Sequence, residues 1–138
     1  MREKPGVAAV LDASAVLAYL LEEPGSERVE ETLPGALVSA VNYSEVLARL
    51  RPTGQGSFGG LRAQFEAIGL DLVPFDAAAA EGAAALFGPT RPAGLALGDR
   101  ACLALALQRG LPAYTADRAW STVDLGARVV QLRGEPTR

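Results

Sequence analysis

The sequence predicts an α/β fold, a mainly parallel sheet covered by helices on both faces, and two observations support this. Short apolar runs rich in β-branched residues alternate with helix-length segments along the 138 residues, the pattern of successive strand–helix–strand units. No repeat, heptad or linker-like stretch interrupts that alternation, so one domain spanning residues 1–138 is expected.

The elements follow in order. "VAAVL" (7–11) is a buried strand that stops at Asp12. "SAVLAYLL" (14–21) is a helix, with Ser14 as N-cap and Pro24–Gly25 as the stop. A more polar helix, "SERVEETL" (26–33), is closed by Pro34–Gly35, and "ALVS" (36–39) is the next strand. Residues 40–51 form a helix ending before Pro52, and the glycine-rich stretch 53–60 is a loop. That loop lacks the Gly-Lys-Ser/Thr ending of a phosphate cradle. Helix 61–69 leads to strand 70–75, which Pro74 puts near a sheet edge. Asp76 caps an alanine-rich helix, 77–87. Helix 99–109, strand 112–115, a short turn or helix at 118–122 and strand 128–132 complete the series.

Composition narrows the chemistry. Apolar residues make up 49% and charged residues 21%, an ordinary globular balance, and no apolar run is long enough to span a bilayer. Arg2 and Lys4 precede an apolar run that stops at Asp12, which is not a secretory leader, so a cytoplasmic protein is expected. The single cysteine, Cys102, lies in "ACLALAL" and reads as a small buried hydrophobe; alone it makes neither a disulfide nor a Cys-x-x-Cys zinc site. There is no histidine, which excludes Ser-His-Asp and Cys-His triads and histidine-ligated zinc or iron. Acid–base or ligand chemistry must then rest mainly on carboxylates. The net charge of −3 argues against bulk nucleic-acid affinity through a basic surface.

A parallel sheet gives those carboxylates a place. All strands point one way, so the turn after each falls on the same edge, where ligand sites of open α/β sheets form. Asp12 closes the first strand. Helix 99–109 runs back about 16 Å at ~1.5 Å per residue. The chain from 112 to 117 returns about 20 Å at ~3.3 Å per residue, so Asp99 and Asp117 reach that edge together. Glu45 lies one to two turns into the helix after the second strand, within reach of it. Four carboxylates in one cleft repel and lose hydration, which a chain tolerates for function or when a cation neutralises them. Oxygen ligands without nitrogen or sulfur select Mg2+ or Mn2+. Such an ion lowers the pKa of a bound water and clamps a phosphate oxygen, the needs of phosphodiester hydrolysis. Asp12, Glu45, Asp99 and Asp117 are therefore the candidate catalytic and metal-ligating residues.

Each acid also has a structural alternative. Asp12 fits an N-cap of the first helix, Asp99 an N-cap after Gly98, and Asp117 a turn aspartate. Glu45 points away from the stripe of Tyr43, Val46, Leu47 and Leu50, and Arg49 at i+4 offers it an exposed ion pair. Ser14 and Thr115 place hydroxyls two residues from Asp12 and Asp117 as supporting groups, with capping and strand-end bonding as their alternative roles. Arg100 and Arg118 directly follow Asp99 and Asp117 and are candidate phosphate contacts. Asp71 starts a strand and so lies on the opposite edge, Asp76 is a cap on an outer strand, and Asp124 sits in a turn.

"VLDASAVLAYLLEEPG", "VSAVNYSEVLARL", "LALGDRACLALALQRGLPAYTADRAW" and the closing "VVQLR" resemble the PIN-domain ribonucleases, most of all the VapC-type toxins of bacterial toxin–antitoxin pairs. The likeness runs in order through most of the chain, with residues 52–95 adding little. It implies a three-layer α/β/α PIN-like fold and Mg2+- or Mn2+-dependent endoribonuclease activity. Asp12, Glu45, Asp99 and Asp117 match the family's acidic positions, with Ser14 or Thr115 in support. The resemblance also implies a homodimer, a cognate antitoxin laid across the cleft, and an RNA substrate such as tRNA or another structured RNA. The apolar face of helix 14–21, with helix 26–33, is expected to form one wall of the antitoxin groove.

Three other readings compete with this one. A phosphoacceptor receiver domain needs a lysine after a late strand, and the only lysine, Lys4, precedes the first. An Asp-x-Asp phosphatase needs an aspartate where Ser14 stands, and again a catalytic lysine. A non-catalytic PIN-like module that binds RNA or a regulatory partner is the remaining alternative; four intact acids favour the nuclease.

Overall fold

The computed structural model describes residues 6–51 and 58–133. Its strands are short: β1 (Val10–Leu11), β2 (Leu37–Ser39), β3 (Asp71–Val73), β4 (Ala113–Thr115) and β5 (Val129–Gln131). The helices are α1 (Ala13–Leu20), α2 (Ser26–Glu30), α3 (Ala40–Leu50), α4 (Phe58–Ile68), α5 (Ala77–Ala85), α6 (Phe87–Thr90) and α7 (Leu97–Arg109), with 3-10 turns at Arg91–Ala93 and Arg118–Thr122. All five strands are parallel, in the order β3-β2-β1-β4-β5. Among the described residues, no helix is long and apolar enough to cross a membrane.

Strand periodicity sorts the side chains onto two faces. Leu11, Val38, Tyr114 and Val130 face one core with Val16, Leu17, Val29, Val46, Leu50, Leu61 and Phe65, from α1 to α4. Val10 and Ala113, with Leu37 and Val129 partly buried beside them, face the other with Cys102, Leu103, Leu105 and Ala106 of α7 and with Trp120. Two cores on opposite faces make the three layers expected from the alternating sequence. Cys102 is free and fully buried, as its apolar surroundings suggest.

The topology creates the functional edge. β1 pairs with β2 through Val10 and Leu37, and on its other side with β4 through Val10–Ala113 and Leu11–Tyr114. The chain leaves β1 toward β2 and β3, then returns through α7 to β4 on the far side. Connections diverge at the carboxyl ends of β1 and β4, leaving a crevice between them.

Several expected boundaries move, each for a local reason. The first strand is only Val10–Leu11, because only these two residues have ladder partners, Val10 on both sides and Leu11 on β4. α1 starts at Ala13 with Asp12 as N-cap, so Ser14 is not the cap; the aspartate two residues before it accepts the free helix N–H. The helix expected at 77–87 is interrupted at Leu86 and continues as α6 and a 3-10 turn that contains Pro92. α4 begins at Phe58, so 58–60 are helical rather than loop, while 52–57 lie outside the described residues. α7 begins at Leu97, two residues before the expected start. Pro74 does follow an edge strand, β3. The apolar face of α1 (Ala15, Val16, Leu17, Ala18) is buried in the first core, with α2 packed on the helix, so it is not an open groove wall.

Phe65 is fully buried and meets Tyr43 edge-on, ring centroids 5.1 Å apart. Phe65→Ala should destabilise the fold by about 3–5 kcal/mol, read as a fall in the urea midpoint at unchanged slope.

Candidate active site

Asp12 is the centre of the edge. It caps α1 from an extended backbone, and Oδ1 accepts from the Ala15 amide at 2.8 Å and the Ser14 hydroxyl at 2.7 Å. Oδ2 accepts from the Thr115 hydroxyl at 2.6 Å. Thr115 Oγ1 in turn accepts from the Asp117 amide at 2.9 Å, and Ser14 Oγ from the Ala116 amide at 2.8 Å. One carboxylate thus binds the ends of β1 and β4 together through two hydroxyls. Burial pushes the Asp12 pKa from 3.8 up to about 6, against the lowering effect of its three donors, and the Asp99 charge adds to the rise.

Asp99 sits in the first turn of α7, half-buried. Ala96 is the N-cap and Asp99 stands three residues on, its Oδ2 accepting from the Ala96 amide at 2.8 Å. The expected N-cap position is therefore corrected: the carboxylate reaches back to the cap from inside the helix, half of a capping box. Oδ1 accepts from the Trp120 indole N–H at 3.2 Å. Burial raises the Asp99 pKa, and Asp117 raises it further. Asp117, exposed, caps the 118–122 turn by accepting from the Ala119 amide at 2.9 Å.

Glu45 comes from the other side. Asn42 Nδ2 donates to Glu45 Oε1 at 3.0 Å and to the Gly98 carbonyl at 3.1 Å, joining α3 to the start of α7. The Glu45 carboxylate lies against Gly98, in the space a Cβ there would occupy. Among the described residues no ion pair joins Glu45 to Arg49; the salt bridge is Arg133–Glu23, at 2.8 Å. Turning both amide hydrogens toward acceptors leaves Asn42 Oδ1 buried without a donor, a cost of about 1–3 kcal/mol. That position serves Glu45 rather than the core.

Asp12, Glu45, Asp99 and Asp117 line one cleft of about 390 Å³, together with Ala13, Ser14, Leu17, Ala48 and Arg49. Their shared field reaches below it: burial pushes the Cys102 thiol well above its usual value, and Asp12, Asp99 and Glu45 raise it further. Asp76 caps α5 and borders a different cleft of about 400 Å³ between α5 and α7. Thr115 is fully buried on Asp12, whereas Arg118 is exposed beside Asp117. Arg100 turns away from the cleft: Nη1 donates to the Ala83 carbonyl at 3.3 Å and its guanidinium lies over the Phe87 ring.

The donor set suits a hard divalent cation: carboxylates line the cleft, and two of them have pKa values raised partly by a neighbouring carboxylate, Asp12 by Asp99 and Asp99 by Asp117, a repulsion that a cation relieves. Among the described residues no three His, Cys, Asp or Glu side chains already stand together as an ion needs. Sequence reading missed Asn42 and Trp120 and gave Gly98 and Arg49 no part in the site. Asn42 could have been found at i−3 from Glu45 on one helix face; the Trp120–Asp99 bond has no local signal.

Because Asp12 holds its proton more tightly folded than unfolded, that proton stabilises the fold at low pH. The contribution is lost as pH rises from about 4 through about 6. In EDTA, Asp12→Asn should therefore be the more stable protein at pH 8, by about 1–3 kcal/mol, with the gap closing near pH 4. Urea denaturation across that range checks this, and a gap independent of pH would refute it.

The PIN domain family model matches residues 9–125. Among solved structures the chain is similar to a toxin–antitoxin complex from Klebsiella pneumoniae, with TM-score 0.69 and 18% identity over 91% of this chain and 98% of that one. VapBC2 from Rickettsia felis, bound to a promoter DNA fragment, gives 0.65 and 12% over 92% and 100%. Mycobacterium tuberculosis VapC20, a sarcin-ricin loop cleaving toxin, gives 0.64 and 15% over 87% and 98%. At these identities the structural likeness is one of fold. No curated protein sequence matches the chain. The parallel order 3-2-1-4-5, the four-acid cleft at its carboxyl edge and a family match over most of the length agree: the chain belongs to the PIN domain family.

Proposed function

We propose that this chain is a metal-dependent endoribonuclease, the toxin of a toxin–antitoxin pair, acting as a single domain. The observation that carries the reading is the convergence of Asp12, Glu45, Asp99 and Asp117 on one cleft of a PIN domain. Asp12, Asp99 and Asp117, with Glu45, would hold Mg2+ or Mn2+, which when bound polarises a phosphate oxygen and lowers the pKa of water.

The chain's own residues prepare that chemistry. Ser14 and Thr115 hold both oxygens of Asp12, Trp120 orients Asp99, and Asn42 aims Glu45. Glu45 and Asp117 are exposed, and rotation of their side chains would bring them onto a bound ion. Arg49, the basic residue on the cleft wall, attracts the scissile phosphate, with Arg118 at the rim. The fold shared with VapC20, a sarcin-ricin loop cleaving toxin, and with VapBC complexes supports an RNA substrate and a cognate antitoxin. Homodimerisation and a cytoplasmic location complete the proposal.

Incubating purified protein with small RNA in Mg2+ or Mn2+ should give discrete fragments that EDTA abolishes. Asp99→Asn should reduce cleavage more than ~100-fold, beyond the effect of losing an outer partner of a metal ligand. A folded Asp99→Asn variant cleaving at the wild-type rate would sink the assignment. No cleavage by the free wild-type protein would favour the binding module.

Gly98→Ala separates position from charge. The new methyl occupies the place of the Glu45 carboxylate, the flexible end of a side chain, so the helix keeps its stability and gains up to about 1 kcal/mol of propensity. Cleavage should fall at least ~10-fold while the melting temperature holds or rises.

A further inference from the structure

We propose that Phe87, Arg91 and Arg100 form a shelf on which a single-stranded RNA base stacks beside the acidic cleft, an inference that rests on the ribonuclease reading. The Phe87 ring, at the start of α6, is 52% exposed and contributes to neither core. Two cations lie near it: the guanidinium carbon of Arg100 is 5.4 Å from the ring centroid and that of Arg91 is 5.8 Å. Arg100 is anchored to the Ala83 carbonyl at 3.3 Å, so its plane is held in place, while Arg91 is exposed.

Ring and guanidinium planes are both surfaces on which nucleic-acid bases stack, and the two positive charges suit the backbone that accompanies a base. Position ties the shelf to the cleft. Arg100 turns its side chain from the cleft toward Phe87, and the Arg91–Ala93 turn beside that ring packs against the Arg118–Thr122 turn that Asp117, a cleft residue, caps. The need for such a shelf follows from charge. A chain of net charge −3 with four carboxylates in its cleft repels phosphate, so cations and a stacking ring beside the cleft would add to Arg49 in holding the strand there.

The test measures fluorescence anisotropy of labelled 12-nucleotide oligo(A) and oligo(U) with the full chain in EDTA, where binding is read without turnover. Phe87→Leu keeps an apolar side chain but removes the ring, and should weaken binding at least about fivefold. Arg91→Ala should lower the salt slope by about 0.7, the loss of one phosphate contact on a single strand. Circular dichroism establishes that both variants fold.

Wild-type binding that Phe87→Leu leaves unchanged overturns the shelf, as does no binding of either oligomer by wild type. If Phe87→Leu weakens binding in a protein that cleaves no RNA with Mg2+ or Mn2+, the shelf stands and the ribonuclease reading falls. Metal-dependent cleavage by a protein whose binding ignores both variants gives the reverse.

Discussion

The rest of the edge depends on one carboxylate kept almost out of water. Asp12 stands at the carboxyl end of the central strand, 4% exposed, where a charge is costly to bury. The fold meets that cost with donors from two elements: the first turn of α1 supplies Ala15 N–H and the Ser14 hydroxyl, and the end of β4 supplies the Thr115 hydroxyl. Burial still dominates, and Asp12 is held near neutral-to-acid titration at about 6. The backbone ladder sets the spacing between β1 and β4, with Val10 N–H donating to Pro112 O at 2.9 Å and Asp12 N–H to Tyr114 O at 3.2 Å, and the bonds to the Asp12 carboxylate join the two strand ends beyond it.

From that centre the site grades outward. Asp99 is half-buried and oriented by an indole N–H, while Glu45 and Asp117 are exposed. A rigid inner carboxylate with adaptable outer ones would suit the cation of the proposed function: the inner group would set its location, and the outer groups would close on it. Asn42 supplies the cross-link between layers, since its amide holds Glu45 and the Gly98 carbonyl together, with its own oxygen buried and unpaired. Gly98 completes that contact by having no side chain, because the space beside its Cα is filled by the Glu45 carboxylate.

Much of this was legible in the sequence. The layer order followed from alternating apolar runs, and the convergence of Asp12, Glu45, Asp99 and Asp117 from parallel-strand geometry alone. Local boundaries were less legible. Ser14 and Asp12 both suit an N-cap, and only the backbone shows that the extended residue is Asp12. Asp99 looked like a cap because carboxylates favour helix starts, yet the helix begins before it. Glu45 and Arg49 have ideal ion-pair spacing but do not pair, since Asn42 claims the carboxylate.

The sequence by itself determined the fold class and the four acids that share an edge, because strand and helix periods are local and parallel strands send every following turn to one side. Only the tertiary structure decided what holds each acid and where each arginine goes. Asn42 meets Gly98 across 56 positions and Trp120 meets Asp99 across 21, and Arg100 leaves the cleft for Ala83 and Phe87. Such contacts depend on how the layers pack, and no spacing along the chain encodes them.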